Sequence, residues 1–257
     1  MERIQERRTK GLNTSGLRAW GLLFVALGAV SMGIIQRQIL GIGSGTDLLT
    51  VLENNPELMT YATLAVVLQA METCAVPIFA FLLSEGMENT SDPKRYLLRV
   101  VTLAAATEIP YNLVYSGKLL DFSSRNPVFG VVFALIAIWF CRGYQEKKFK
   151  NFCIRMLVVF CAMLWCGMLN IGYGGTMVLI AHVLWAYRYK PYSYRLLAGA
   201  AAAILCSISH MLFIAAPMGF LVILFYNDEE GESDRKVNYG AYPVILILTL
   251  AAGFFLA

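Results

Sequence analysis

Charge is scarce in this chain. Of 257 residues only 15% are Asp, Glu, Lys or Arg and only 2 are histidine, whereas a soluble domain carries roughly a quarter charged residues. An ordinary soluble globular fold is excluded on that ground. Ahead of Leu17 the stretch MERIQERRTKGLNTSG has no short apolar core and no small-residue cleavage site, so no signal peptide is expected. No CxxC pair occurs among the cysteines Cys74, Cys141, Cys153, Cys161, Cys166 and Cys206, which all lie in or beside apolar blocks. Disulfides and a metal site are not expected, and the cysteines read as small buried hydrophobes. HExxH, GxSxG, P-loop and dinucleotide fingerprints are absent. No solenoid-like repeat occurs either. The net charge of +4 calls for no nucleic-acid partner.

What the chain has instead is apolar length: 58% hydrophobic residues and a mean hydropathy of +0.61. A bilayer core takes about 20 apolar residues per helical span, about 17 at the short end. The blocks predict a single all-α domain over 1–257, a polytopic transmembrane helix bundle of about nine spans (eight to ten) in the cell membrane. They fall near Leu17–Gln36, Tyr61–Leu83, Leu97–Tyr115, Pro127–Cys141, Phe152–Leu169, Gly175–Tyr187, Leu196–Ser209, Met211–Tyr226 and Tyr239–Leu256. The run from Leu196 to Tyr226 is too long for one span, and Ser207, Ser209, His210 and Pro217 mark a re-entry inside it. Positive residues prefer cytoplasmic loops. With the polar segment 1–16 cytoplasmic, all of the 21 basic residues except Arg37, Lys118 and Arg125 fall on the inner side. The C-terminus is then outside. Between Arg37 and Thr60 a Gly- and Ser-rich turn precedes a short helix with Asp47 near its start, placed along the outer surface.

Ionisable residues inside spans are costly and point to function. Glu72, Glu108, His182 and His210 stand out. Glu108 lies in Thr107-Glu108-Ile109-Pro110-Tyr111-Asn112, where the proline removes a backbone donor and disturbs the turn before it. Carboxylate, phenol and amide beside a broken turn make a polar pocket suited to general-base work. The alternative is a hydrogen-bonded lock between helices. Glu72, four or five residues before Pro77, carries the same two readings. His182, alone on an apolar helix, suits a neutral hydrogen-bonded side chain better than a catalyst. His210 falls near the outer surface. Glu85 to Lys94 reads as a cytoplasmic hairpin loop, with Asp92-Pro93 starting the next helix. Lys94, Arg95 and Arg99, with Glu85 opposite, would hold phosphates or merely obey the inside-positive preference.

The string PIFAFLLSEGMENTSDPKRYLLR, followed by TEIPYNL and NPVFGVVFAL, resembles the TraX family. LNIGYGG, APMGFLVILFYN and NYGAYPVILIL match later family segments more weakly. The resemblance implies an integral membrane acetyltransferase, named for the enzyme that acetylates the N-terminus of conjugative pilin. It further implies acetyl-CoA as cytoplasmic co-substrate, an amine acceptor that is a small molecule or protein, and surrounding membrane lipid. On that reading Glu108 is the base, with Glu72, Asn112 or His182 assisting, and Glu85, Lys94, Arg95 and Arg99 bind the co-substrate. The chain departs from the family pattern at several polar positions. Gly28-Ala29 stand where the family has Asp-His, Thr73 where it has arginine, Asn112 and Asn170 where it has aspartate, and Ile245 where it has histidine. Two other readings therefore stand beside the enzyme. One is a degenerate member that binds a small molecule, lipid or partner without turnover. The other is a small transporter, for which a proline-broken third span speaks and the lack of an inverted repeat does not.

Overall fold

The computed structural model describes residues 11–42, 48–146, 148–208, 210–229 and 235–256. Arg3, Arg7, Arg8, Lys10, Asp47, Lys147 and Ser209 lie outside the described residues, as do the side chains of Arg235 and Lys236. The described chain is a helical bundle with no named strand. Among the described residues, each stretch expected to span is largely helical. Within the same described residues, four helical rods are long and apolar enough to cross a membrane: Thr14–Ile39, Pro56–Asn89, Pro93–Tyr115 and Phe149–Met168. Shorter apolar helices complete the bundle.

Local chemistry sets the boundaries. Helix α1 (Thr14–Val30) starts at Asn13, whose side chain accepts the Gly16 N–H at 2.8 Å, and continues as a π-helical stretch Ser31–Ile39. Short α2 (Leu48–Asn54) follows. Helices α3 (Met59–Glu72) and α4 (Ala75–Asn89) form one rod with a break at Thr73–Cys74. Pro77 causes it: the ring lacks a donor for the Thr73 carbonyl and crowds it. Helix α5 (Pro93–Tyr115) begins with Pro93 in its first turn and Asp92 as cap, accepting the Arg95 N–H at 3.0 Å. It runs unbroken through Pro110, contrary to the expectation from sequence. The proline-broken rod is the second.

Beyond these lie α6 (Val128–Cys141), α7 (Phe149–Met168), α8 (Gly174–Ala186) and α9 (Tyr192–Cys206). The expected re-entry follows α9: a 3-10 helix Met211–Met218, then α10 (Gly219–Ile223), and finally α11 (Arg235–Leu256). Helix α8 is the centre of the bundle. It packs on α4, α6, α7 and α9 and is apolar almost all round, as a fully enclosed helix must be. At about 20 Å long it falls short of the roughly 30 Å hydrocarbon core, which enclosure by neighbouring helices allows.

Helix α4 continues to Asn89, so the hairpin loop is shorter than the Glu85–Lys94 segment expected. Two buried ion pairs extend it. Arg195 of α9 donates to the Glu85 carboxylate at 2.5 Å and to Ser84 Oγ at 2.8 Å. Glu88 Oε1 accepts the Trp185 indole N–H at 2.8 Å and lies 3.1 Å from Arg188 Nε. Breaking a buried pair leaves an uncompensated charge, whereas replacing both partners by apolar residues often costs little. Arg195→Leu should therefore lower unfolding free energy by about 3–5 kcal/mol, and Glu85→Leu combined with it should restore part of the loss. Denaturant unfolding of the detergent-solubilised protein measures both.

Candidate functional site

Helices α1, α4, α6, α5 and α11 touch one another in turn around a cavity of about 560 Å³, with the start of α8 behind it. One end is polar and charged, with Ser15, Arg18, Asn89, Thr90, Arg99 and the acidic Asp228 on its wall. The middle is apolar, formed by side chains such as Leu22, Phe79, Leu103 and Met177. At the far end stand Glu72, Tyr173 and Tyr242. Glu72 lies roughly 25 Å from Asn89 along the α3–α4 rod, taking 1.5 Å per residue. The cavity is long, with polar ends and a greasy shaft.

The floor is built across helices. Tyr115 donates its hydroxyl to Glu72 Oε1 at 2.8 Å. The carboxylate lies directly against Gly28 of α1, where any Cβ would overlap it. Tyr111 stacks on Tyr115, with centroids 4.3 Å apart and planes at 22°. Arg37, in the π-helical stretch, donates to the Leu113 carbonyl at 2.6 Å, and its guanidinium covers Gly117, whose φ is +70°. A cation at a helix C-terminus is favourable; here it also fixes the last turn of α5, which carries Tyr115.

Asn126 is the second hub. It is fully buried. Its amide donates to Thr107 Oγ1 at 2.7 Å, and its Oδ1 accepts the Tyr242 hydroxyl at 3.1 Å and the Val128 N–H at 3.0 Å. Its backbone N–H donates to Glu108 Oε2 at 3.3 Å. Tyr173 enters the cavity from a left-handed backbone, φ +53°. That conformation is uncommon for a bulky side chain and concentrates at functional sites. It is held by the close crossing of α6 and α8, where Gly130 faces the Cα of Gly174, and by the Arg125–Ile171 bridge. The Tyr173 hydroxyl makes no hydrogen bond among the described residues.

Of the residues singled out in sequence, Glu72 and Arg99 line the cavity. Glu108 is half-buried behind Asn126 and is not part of the lining. Asn112 is buried at the end of α5, where its carbonyl accepts the Ser116 and Gly117 N–H groups. His182 is buried on α8 beside Trp185, near Arg155 and Arg188, away from the lining. Glu85 touches the cavity wall but is committed to Arg195. Lys94 and Arg95 are exposed in the first turn of α5, and Arg95 faces Asp92 at 3.5 Å. His210 stands edge-on to Tyr173. Sequence reasoning missed Arg18, Tyr115, Asn126, Tyr173 and Tyr242 as site groups. Asn126, Tyr173 and Tyr242 lie in strings quoted for the resemblance, yet nothing local marks Tyr115 as the partner of Glu72. Among the described residues, no group of three His, Cys, Asp or Glu side chains is placed to hold a metal ion.

The Gly28–Glu72 contact predicts a strongly non-additive pair. Gly28→Ala should destabilise the protein by about 1–3 kcal/mol through overpacking. In the Glu72→Ala background the same change should cost much less, because the colliding carboxylate is gone. A double-mutant cycle on thermal unfolding checks it.

A family model described as TraX protein matches residues 50–251. No curated protein and no solved structure matches. The family match covers most of the chain, from α2 into α11: this membrane helical bundle belongs to the TraX family.

Proposed function

We propose that this protein transfers an acetyl group from acetyl-CoA to an amine within the cavity, with Glu72 as the general base. The observation that carries the reading is a buried carboxylate at the floor of a long cavity whose other end is lined by arginines. The basic end bears the start of α5 with Lys94 and Arg95, and positive residues favour the cytoplasmic side, so it faces the cytoplasm. Arg18 and Arg99 suit anionic phosphates, the apolar shaft suits a thin extended arm, and the floor receives the thioester. Acetyl-CoA supplies an activated acyl group with a thiolate leaving group. Glu72 accepts the proton lost by the attacking amine as the C–N bond forms and the C–S bond breaks. Tyr173 is placed to donate to the carbonyl oxygen as charge develops there. Tyr115 and Gly28 position Glu72.

The departures from the family pattern also fit. The resemblance expects a carboxylate at position 28; here the Glu72 carboxylate fills the space over Gly28. A second reading, ligand binding without turnover, is favoured by one observation. Tyr115 is already committed to Glu72, and Tyr242 to Asn126, without a ligand.

The test is acetyl-CoA binding by calorimetry together with CoA release in the presence of amines. Arg18→Ala and Arg99→Ala should each weaken binding about tenfold. Glu72→Gln should keep binding and lose about a hundred- to ten-thousand-fold in rate, with Glu108→Gln affected far less. Binding without CoA release would favour the second reading. No binding by folded protein contradicts the acetyl-CoA assignment.

A further inference from the structure

The connection 116–127 joins α5 to α6 at the end of the bundle opposite the basic mouth. Surface loops are ordinarily polar, because their backbone and side chains face water. This one carries Leu119, Leu120 and Phe122, exposed by 66%, 64% and 66%. The backbone behind them is tied down. The Leu119 carbonyl accepts from the Asn112 amide at 3.4 Å and the Phe122 carbonyl from the Asn170 amide at 3.3 Å. Asp121 closes a turn by accepting the Ser123 N–H at 2.9 Å and its hydroxyl at 2.7 Å. Arg125 is bridged to Ile171 and stacks on the Phe122 ring at 5.0 Å. Three large apolar side chains thus project from a braced support instead of folding back onto the bundle.

We propose that this loop seats in the lipid headgroup layer at that end of the bundle. There Leu119, Leu120 and Phe122 enter the upper acyl region, and Lys118 and Arg125 meet lipid phosphates. Three features favour lipid over a protein partner. The tip follows the exposed apolar surface of the last turns of α5, represented by Ile109. Cations flank it on both sides, matching a phosphate layer. The ionised Asp121 within the tip limits its depth to the interface, where water still reaches. Aromatic and apolar groups with polar neighbours are the residues that anchor at this level. The seat has a consequence for the cavity, since the same loop delivers Asn126 and, through Arg125, braces the turn that presents Tyr173.

The inference does not depend on the chemistry proposed above, and its test reads lipid contact alone. Phe122, and in a second variant Leu120, is replaced by the photo-cross-linker p-benzoylphenylalanine. The protein is reconstituted into vesicles of phosphatidylethanolamine and phosphatidylglycerol and irradiated. Adducts are identified by mass spectrometry, with Lys148, exposed near the opposite end, as the control position. Lipid adducts should dominate at Phe122 and Leu120 and be absent at Lys148. A protein–protein adduct at Phe122, no adduct there, or equal lipid labelling at Lys148 would overturn the proposal.

Discussion

A carboxylate held inside a membrane protein must find its partners within the protein, because no lipid group will supply them. The arrangement around Glu72 follows from that constraint. Pro77 breaks the second rod one residue beyond Glu72, Tyr115 reaches across from α5 to donate to it, and α1 presents a glycine so that the carboxylate has room. Each partner is braced in turn: Tyr115 by the stacked Tyr111 and by Arg37 on the last turn of α5, the break by Gly219 packed on the Cys74 carbonyl. The result is a polar floor enclosed by helices and reached along an apolar shaft.

The opposite end is governed by charge pairing. Glu85 and Glu88 on α4 hold Arg195 on α9 and Arg188 in the α8–α9 turn. Gly86 lies under the Tyr96 ring, and Asp92 caps α5. Glu85, Gly86, Thr90, Tyr96 and Arg99 of the family-like string line the cavity, and Glu85 is at the same time locked to Arg195. Arg99 alone among the basic residues of that segment lines the cavity. The family-like string thus forms the basic end of the cavity wall as well as the hairpin, while Glu72, Tyr173 and Tyr242 stand at the far end.

The spans were legible because apolar blocks of the right length admit few alternatives, and even the re-entry at Ser207–His210 was marked by local polar residues and Pro217. The cap at Asp92-Pro93 was legible for the same local reason. The site was legible only in part. Glu72 announced itself as a buried charge, but its partner lies on another helix and no spacing rule links positions 72 and 115. Pro110 was given the break that belongs to Pro77, because a proline's effect depends on whether neighbouring packing holds the helix through it. Glu85 looked like a loop acid until Arg195, far along the chain, buried it. Arg18 and Gly28 sit in α1, ahead of the matched family segment, so their part in the cavity rests on geometry.

If acetyl-CoA delivers its acyl group at the cavity floor, its binding must shield Glu72. Dicyclohexylcarbodiimide, an apolar reagent for carboxyl groups shielded from water, tests it when labelling is mapped by peptide mass spectrometry with and without acetyl-CoA. Glu72 should be labelled in the free protein and protected by acetyl-CoA but not by ATP. Labelling of Glu72 that acetyl-CoA leaves unchanged, or protection that falls on Glu108 instead, would contradict the account.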